Sequence, residues 1–571
     1  MEKAVKNGHP TGLWYLFATE MWERFGYYLM LGIFSLYMLD GWNNGGMGFD
    51  ATKKSDIYGT YLGLVYLTPF IGGLLADRVL GYRKAIVLGG LSMATGYFLL
   101  SIHDVTTFYL GLLCIILGNG FFKPNISTLV GNLYSSDDMK DKKDAGYNIF
   151  YMGINIGAFI CNFVAAYMRI NYGWGYAFAA AGVGMLLGVV IFLWGTKHIK
   201  HVDVVKPLQA GDMSTGRILS MTVLPMFVFG ILGYLIPGNL LGTDTNDAFI
   251  FGCVPVIAFF IYLAFKSDAK ESRAIKALLA AFMCIILFFA IFHQNGDALT
   301  VWAEDHTNRE MSASVATVAD KVGMAQVVVN NDIVAAPEAA FNAAIVEMRA
   351  QEAAMPADSR EEIKAKGEFS ASINQLEKSR KYFATLPANE IPAKGENLKL
   401  YSTELYQSIN PFWVVLLTPV IVGIFGFMRR KNREPSTPSK IAIGLVITAL
   451  SALVMVGAVF ATNDMTGKAS SFWLIASYGV ITVGELCLSP MGLSLVSKLS
   501  PPRITALMMG GFFLAISVGN KLSGMLSGLW ETIEQKENFF ILNFALVMVA
   551  ATVMIVMLKW MNGVMRENNV K

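Results

Sequence analysis

Apolar residues run along this chain in long blocks of about 20 or more, divided by short polar segments. Each block is long enough to cross roughly 30 Å of hydrocarbon as a helix. The pattern predicts fourteen helices, over 13–40, 55–77, 84–102, 107–134, 145–171, 174–195, 216–237, 247–266, 274–303, 408–428, 439–462, 471–497, 504–530 and 539–562. The expected fold class is all-α integral membrane. One polar segment, 304–407, breaks the rhythm. It is rich in Ala, Glu and Lys, and 337–355 and 359–385 read as helices, so a small solvated helical hairpin is expected there.

Basic residues set the orientation. Arg78, Arg83 and Lys84 follow the second helix; Lys140, Lys142 and Lys143 precede the fifth; Lys197, Lys200 and Lys206 follow the sixth. Lys266, Lys270 and Arg273 follow the eighth, and Arg429, Arg430, Lys431 and Arg433 follow the tenth. All fall on one side, which the positive-inside rule makes cytoplasmic, with both termini there and 304–407 outside. Lys53 and Lys54 lie on the outer side and read as solvated loop charges, with Glu304 or Asp305 as the alternative partners. The first helix has ionisable residues and no small-residue cleavage site, so it reads as retained.

That helix holds the densest chemistry. Glu20, Glu23, Arg24, Tyr27 and Tyr28 follow i, i+3, i+4, i+7, i+8 spacing, one face of a helix. A bare charge in a bilayer costs roughly 2.5–3.5 kcal/mol, so such groups are normally paired and turned to a polar cavity. The stripe predicts a water-facing, proton-capable site, and with it solute transport.

Composition narrows the classes. Of 571 residues 54% are hydrophobic and only 15% charged, which fits a membrane protein. The net charge of +3 resides in short loops, not on one face, so nucleic-acid binding is not expected. Cys114, Cys161, Cys253, Cys284 and Cys487 lie in apolar stretches without metal-ligand spacing and read as buried thiols. Neither a cofactor nor a metal is expected. No nucleophile–base set lies within the spans and no output domain is recognisable, which disfavours an intramembrane enzyme or a sensor.

Four segments then point to a family. They are Glu20-x-x-Glu23-Arg24-Phe25-x-Tyr27-Tyr28; Gly72-Gly73-x-x-Ala76-Asp77-Arg78-x-x-Gly81 running into Arg83-Lys84; Phe122-Lys123-Pro124-Asn125; and Phe150-Tyr151-x-x-Ile154-Asn155-x-Gly157-Ala158. With Asn410-Pro411, Gly484-Glu485 and Ser489-Pro490, they make the chain resemble the proton-dependent oligopeptide transporters of the major facilitator superfamily, in bacterial form. The resemblance covers all but 304–407. It implies two six-helix bundles plus two additional helices, and alternating access at the cytoplasmic (inner) membrane. The implied division is 1–200 for the N-terminal bundle and 201–270 for the linker with the additional helices. It continues with 271–303 for the first helix of the C-terminal bundle, 304–407 for an extracytoplasmic insert and 408–571 for the remainder. Its partners would be di- and tripeptides, protons and membrane lipid, and it would work as a monomer.

The resemblance also assigns roles. A zwitterion needs a cation for its carboxylate and an acid for its amine. Arg24 and Lys123 would take the carboxylate, and Glu485, with Asn155 and Asn410, the amine. Tyr27, Tyr28, Tyr66 and Gln294 would line the site. Lys123 could instead snorkel, and Glu485 could form a structural ion pair; a Lys123–Glu485 pair would close the inner side. Glu20 and Glu23 are the candidates for the proton, with Glu23 preferred as the neighbour of Arg24. Asp77, Arg78, Arg83 and Lys84 would form a gate. Three departures limit the carry-over. His293 stands before Gln294 where an acid is usual, and could titrate with Asp297 as partner. Gly59 stands where animal members carry histidine. Phe512 replaces a pocket tryptophan, on a helix that also carries Lys521. Another small anion or zwitterion, such as nitrate or a modified amino acid, is the alternative cargo.

Overall fold

The computed structural model describes residues 5–6, 8–136, 139, 142–203, 215–356, 359–462, 465–501 and 504–568. Lys140 and Lys206 lie outside the described residues, as do the side chains of Asp77, Arg78 and Lys143. Six long helices come first: α1 (Thr11–Leu39), α2 (Ala51–Leu75), α3 (Tyr82–Leu100), α4 (Val105–Leu133), α5 (Lys143–Tyr172) and α6 (Trp174–Ile199). Their shared core includes Leu29, Phe34, Tyr37 and Phe108. Short polar turns stop and restart the chain: Asp50 accepts a hydrogen bond from Lys53 N (2.8 Å) to cap α2, and Asp104 from Thr107 N (2.9 Å) to cap α4. Gly81, at φ +78°, follows a π turn at Ala76–Leu80 and redirects the chain into α3.

Between the halves lie α7 (Thr215–Met221), α8 (Val223–Tyr234) and α9 (Asp244–Lys266). The single helix expected over 216–237 is broken at Thr222 and ends near Leu235. The second bundle begins with α10 (Ala269–Phe292), which gives way to a 3₁₀ turn at His293–Gly296 before α11 (Ala298–Asp305). The expected continuous helix over 274–303 is therefore interrupted. Among the described residues, eleven helical stretches are long and apolar enough to cross a membrane; α1, α3 and the α7–α8 pair fall outside that count.

Residues 304–407 form α12 (Ala313–Lys321), α13 (Glu338–Ala354) and α14 (Arg360–Phe383). Ser359 and Glu362 form a reciprocal cap on α14. The segment also carries an antiparallel pairing of Gln326–Val329 with Asn397–Leu400, of which the residue pattern gave no sign. Val328, Phe341, Ile345, Ile373 and Leu400 give it a small core of its own. The chain returns through α15 (Ile409–Arg430), α16 (Thr437–Phe460), α17 (Ser471–Leu499), α18 (Thr505–Thr532) and α19 (Lys536–Glu567).

The halves meet most closely along α2 and α18. A Cβ on Gly59 would lie 2.9 Å from the Gly524 Cα, and one on Gly524 would lie 2.7 Å from the Gly59 Cα. Ser517 Oγ donates to Gly63 O (2.6 Å) on the same seam. The absence of histidine at 59 is thus a packing requirement.

Candidate functional site

A cavity of about 1630 Å³ lies between the halves. It is lined from α1 by Glu20, Arg24, Tyr27 and Tyr28, from α2 by Tyr66, and from α4 and α5 by Lys123 and Asn155. The facing half supplies His293, Asn410, Glu485 and Phe512. Its wall reaches exposed Arg217 and Lys266, at the end of the molecule where the basic clusters lie.

The α1 stripe is split. Arg24 makes a two-pronged contact with Glu23 and lies 3.5 Å from Glu20. Glu23 is fully buried behind it and does not reach the cavity. Glu20 does, with Oε2 buried and without a hydrogen-bond partner. The Arg24 guanidinium sits 4.8 Å from the Tyr27 ring centroid and 5.9 Å from that of Tyr28. One acid is thus committed to the arginine and the other is half free. Sequence adjacency pointed to Glu23, but the side chain in contact with the cavity is Glu20.

Lys123 makes no ion pair among the described residues; its ammonium stands 4.3 Å above the Tyr66 ring. On the opposite wall Glu485 accepts from Asn410 Nδ2 (3.1 Å), which also donates to Thr482 Oγ1 (2.9 Å). The expected Lys123–Glu485 pair is not made. Asn155 Nδ2 donates to Tyr151 O (3.0 Å), leaving its carbonyl oxygen available.

Two assignments change. Gln294 is buried away from the cavity: its Nε2 donates to Asn543 Oδ1 (3.3 Å) and its Oε1 accepts from Asn543 Nδ2 (2.8 Å). A substrate contact is not supported for it. Asp297 does not partner His293. It forms a fully buried ion pair with Lys54 of α2, so Lys54 is neither solvated nor paired with Glu304 or Asp305. Those acids pair with Arg309 (3.3 Å) and Lys381 (2.7 Å). His293 does line the cavity, stacked on Phe289 with its Nδ1 unpartnered, while its carbonyl accepts from Tyr58 (3.1 Å).

The opposite end of the cavity is closed by polar bonds across the halves. Besides Lys54–Asp297, Ser35 Oγ donates to Gly296 O (2.6 Å) and Asn162 Nδ2 to Ser408 Oγ (3.1 Å). Lys521, whose presence on α18 looked anomalous, is buried and bonded to Asp56 (2.7 Å) and Thr60 (2.6 Å). Sequence reasoning missed Asn162 and Asp56. Asn162 lies seven residues beyond Asn155, on the same face of α5, and Asp56 lies two beyond Lys54. Of the expected gate, Arg83 pairs with Asp203 (2.6 Å) and Lys84 is exposed.

A bundle of this kind, with charged groups from both halves facing one cavity, has known counterparts. The POT family model matches residues 83–324 and 369–543. The chain belongs to the POT family. It is 28% identical over 541 residues to the uncharacterized transporter YclF of Bacillus subtilis, covering 93% of this chain and 90% of that protein. It is likewise 28% identical over 563 residues to a di-/tripeptide transporter of Lactococcus lactis, covering 96% and 95%. Among solved structures, a peptide transporter POT in complex with sulfate aligns with a TM-score of 0.74 at 27% identity, over 98% of this chain and 97% of that one. The POT family is one of peptide transporters, and the fold is a transporter fold, not an enzyme's.

Proposed function

We propose that this POT family protein imports di- and tripeptides with protons across the cytoplasmic (inner) membrane by alternating access. The observation that carries the reading is the pair of unmatched charges, Lys123 and Glu485, on opposite walls of one cavity. A peptide zwitterion supplies the missing counter-ion to each. Lys123 and Arg24 bind the carboxylate; Glu485, with Asn155 and Asn410, binds the amine; Tyr27, Tyr28 and Tyr66 present aromatic bodies with polar tips to a variable side chain. Glu20 carries the proton, because it alone of the two α1 acids keeps an oxygen for a proton to occupy. His293 also lines the cavity with its Nδ1 unpartnered, and Asp297 belongs to the closure.

The topology that fits is six spans, the additional pair and six more, with α1, α3 and the broken α7–α8 among fourteen. The basic clusters and both termini then face the cytoplasm. The cavity opens to that side and the Lys54–Asp297 end is shut. Arg83–Asp203 and Lys84 sit where the intracellular gate closes in the alternate state. The functional unit is a monomer in lipid, without cofactor or metal.

Dialanine uptake into proteoliposomes under an imposed pH gradient and potential tests this. Accumulation that collapses with either gradient and is competed by other di- and tripeptides is expected, since each inward charge gains about 2.3 kcal/mol per 100 mV. Uptake indifferent to both gradients would refute it.

A further inference from the structure

Residues 304–407 are rooted in one half and fastened to the other. On the C-terminal side the segment continues directly from α11, and Thr307–Asn308 pair in parallel with Ala469–Ser470. Ser471 Oγ donates to Asn308 O (2.8 Å), and Lys468 Nζ donates to Asp305 O (2.8 Å). On the N-terminal side the contacts are side-chain bonds, the most buried being Arg169 of α5 to Glu404 (2.9 Å) and Ser402 (2.8 Å). Arg349 of α13 donates to Asn44 (2.5 Å), in the turn between α1 and α2. Lys378 of α14 pairs with Asp40 at the end of α1 (3.6 Å). Asn171, at the end of α5, donates to Gly323 O (2.7 Å).

Arg349 is the pivot of this arrangement. The same guanidinium holds Glu352 (2.9 Å), Glu377 (2.9 Å) and Asn374 (2.6 Å), so it ties α13, α14 and the N-terminal half to one point. Asp40 is itself fixed by Trp174 Nε1 (2.9 Å) and Asn44 (3.0 Å), so the receiving surface is ordered by its own half. All of these bonds bridge the end of the cavity that Lys54–Asp297 closes.

We propose that residues 304–407 are an outer latch. The segment moves with the C-terminal half and releases Asn44, Asp40, Asn171 and Arg169 each time the outer side opens, so it favours the state open to the cytoplasm. This rests on the alternating-access reading above. The bonds that break are few: those of α13 and α14 are partly solvated, as a reversible catch requires, and one, Arg169–Glu404, is a buried ion pair that makes the catch firm; the strand pairing on the other side stays.

The test uses full-length protein in nanodiscs with spin labels on Ile102→Cys and Gln535→Cys, exposed sites on the two halves at the insert end. The five native cysteines are buried or half-buried. In Asn44→Ala/Lys378→Ala the population with separated labels is expected to rise about five-fold, the scale of one lost hydrogen bond. Amide exchange should increase across 40–48 while α13 and α14 stay protected. An unchanged distance distribution, or exchange that rises only within α13 and α14, overturns the latch. Failure of the unsubstituted protein to take up dialanine would remove the transport reading instead, and leaves the distance comparison legible.

Discussion

At the scale of single residues, the two glutamates of α1 are separated by what already holds them. Glu23 is doubly bonded to Arg24, whereas Glu20 meets the same guanidinium at 3.5 Å with one oxygen unpartnered. Glu20→Gln is therefore expected to abolish gradient-driven accumulation while preserving exchange of labelled for unlabelled dialanine, because the proposed substrate site stands and the proposed proton carrier is gone. Glu23→Gln should weaken binding as well, since Arg24 loses its fixed partner; this is read as a raised Kd for dialanine. Equal loss of both activities in both variants would contradict the division. Outside the spans, His306 packs between Trp302 and Trp530 with Nδ1 unpartnered, and burial pushes its imidazole down to about 4. The folded protein then binds the proton less well than the unfolded chain. The junction with residues 304–407 thus loses stability as pH falls from about 6.5 to about 4, by at most about 3 kcal/mol. A melting temperature that drops over this window, and a smaller drop in His306→Phe, is the expected result.

At the scale of elements, the seam between α2 and α18 decides how the halves fit. A side chain at Gly59 or Gly524 has no room, because the atoms it would meet are backbone. Gly524→Leu should cost about 1–3 kcal/mol and lower the melting temperature in detergent; a neutral outcome would show that the helices can part there. The helices themselves were legible, since about 20 apolar residues leave few alternatives in a membrane. Their interruptions were not. The turn at His293–Gly296 falls on a short polar stretch inside a long apolar run, and the break at Thr222 falls in a run that by composition alone continues as helix. The strand pairing in 304–407 was hidden for another reason: Gln326–Val329 and Asn397–Leu400 are four residues each and 67 residues apart, so neither carries a readable period.

At the scale of the whole molecule, the buried charges that join the halves at the insert end are matched, and two that face the cavity are not. Lys54–Asp297 and Asp56–Lys521 join the halves at the insert end, while Lys123 and Glu485 face each other unpaired. The motifs identified the charged residues but could not allocate partners, because partners come from opposite halves hundreds of residues apart. Lys54 and Lys521 illustrate this: Lys54 read as a solvated loop charge and Lys521 stood out on its helix, and each is balanced by an acid on the facing half. Asp297 is likewise taken up by Lys54 of the facing half, whereas Gln294 is held by Asn543 of α19 within its own half.

The Gly59–Gly524 contact also has a mechanical meaning. Two backbones touching without side chains between them cannot be pressed closer, but they can turn about one another. A rocking of the halves displaces points in proportion to their distance from such a line. In such a rocking, Lys54 and Asp297 toward one face, and Lys123 and Glu485 toward the other, would move in opposite senses, one pair closing as the other opens. In the proposed alternating access, the smallest residue in the chain would be the fulcrum of the largest motion.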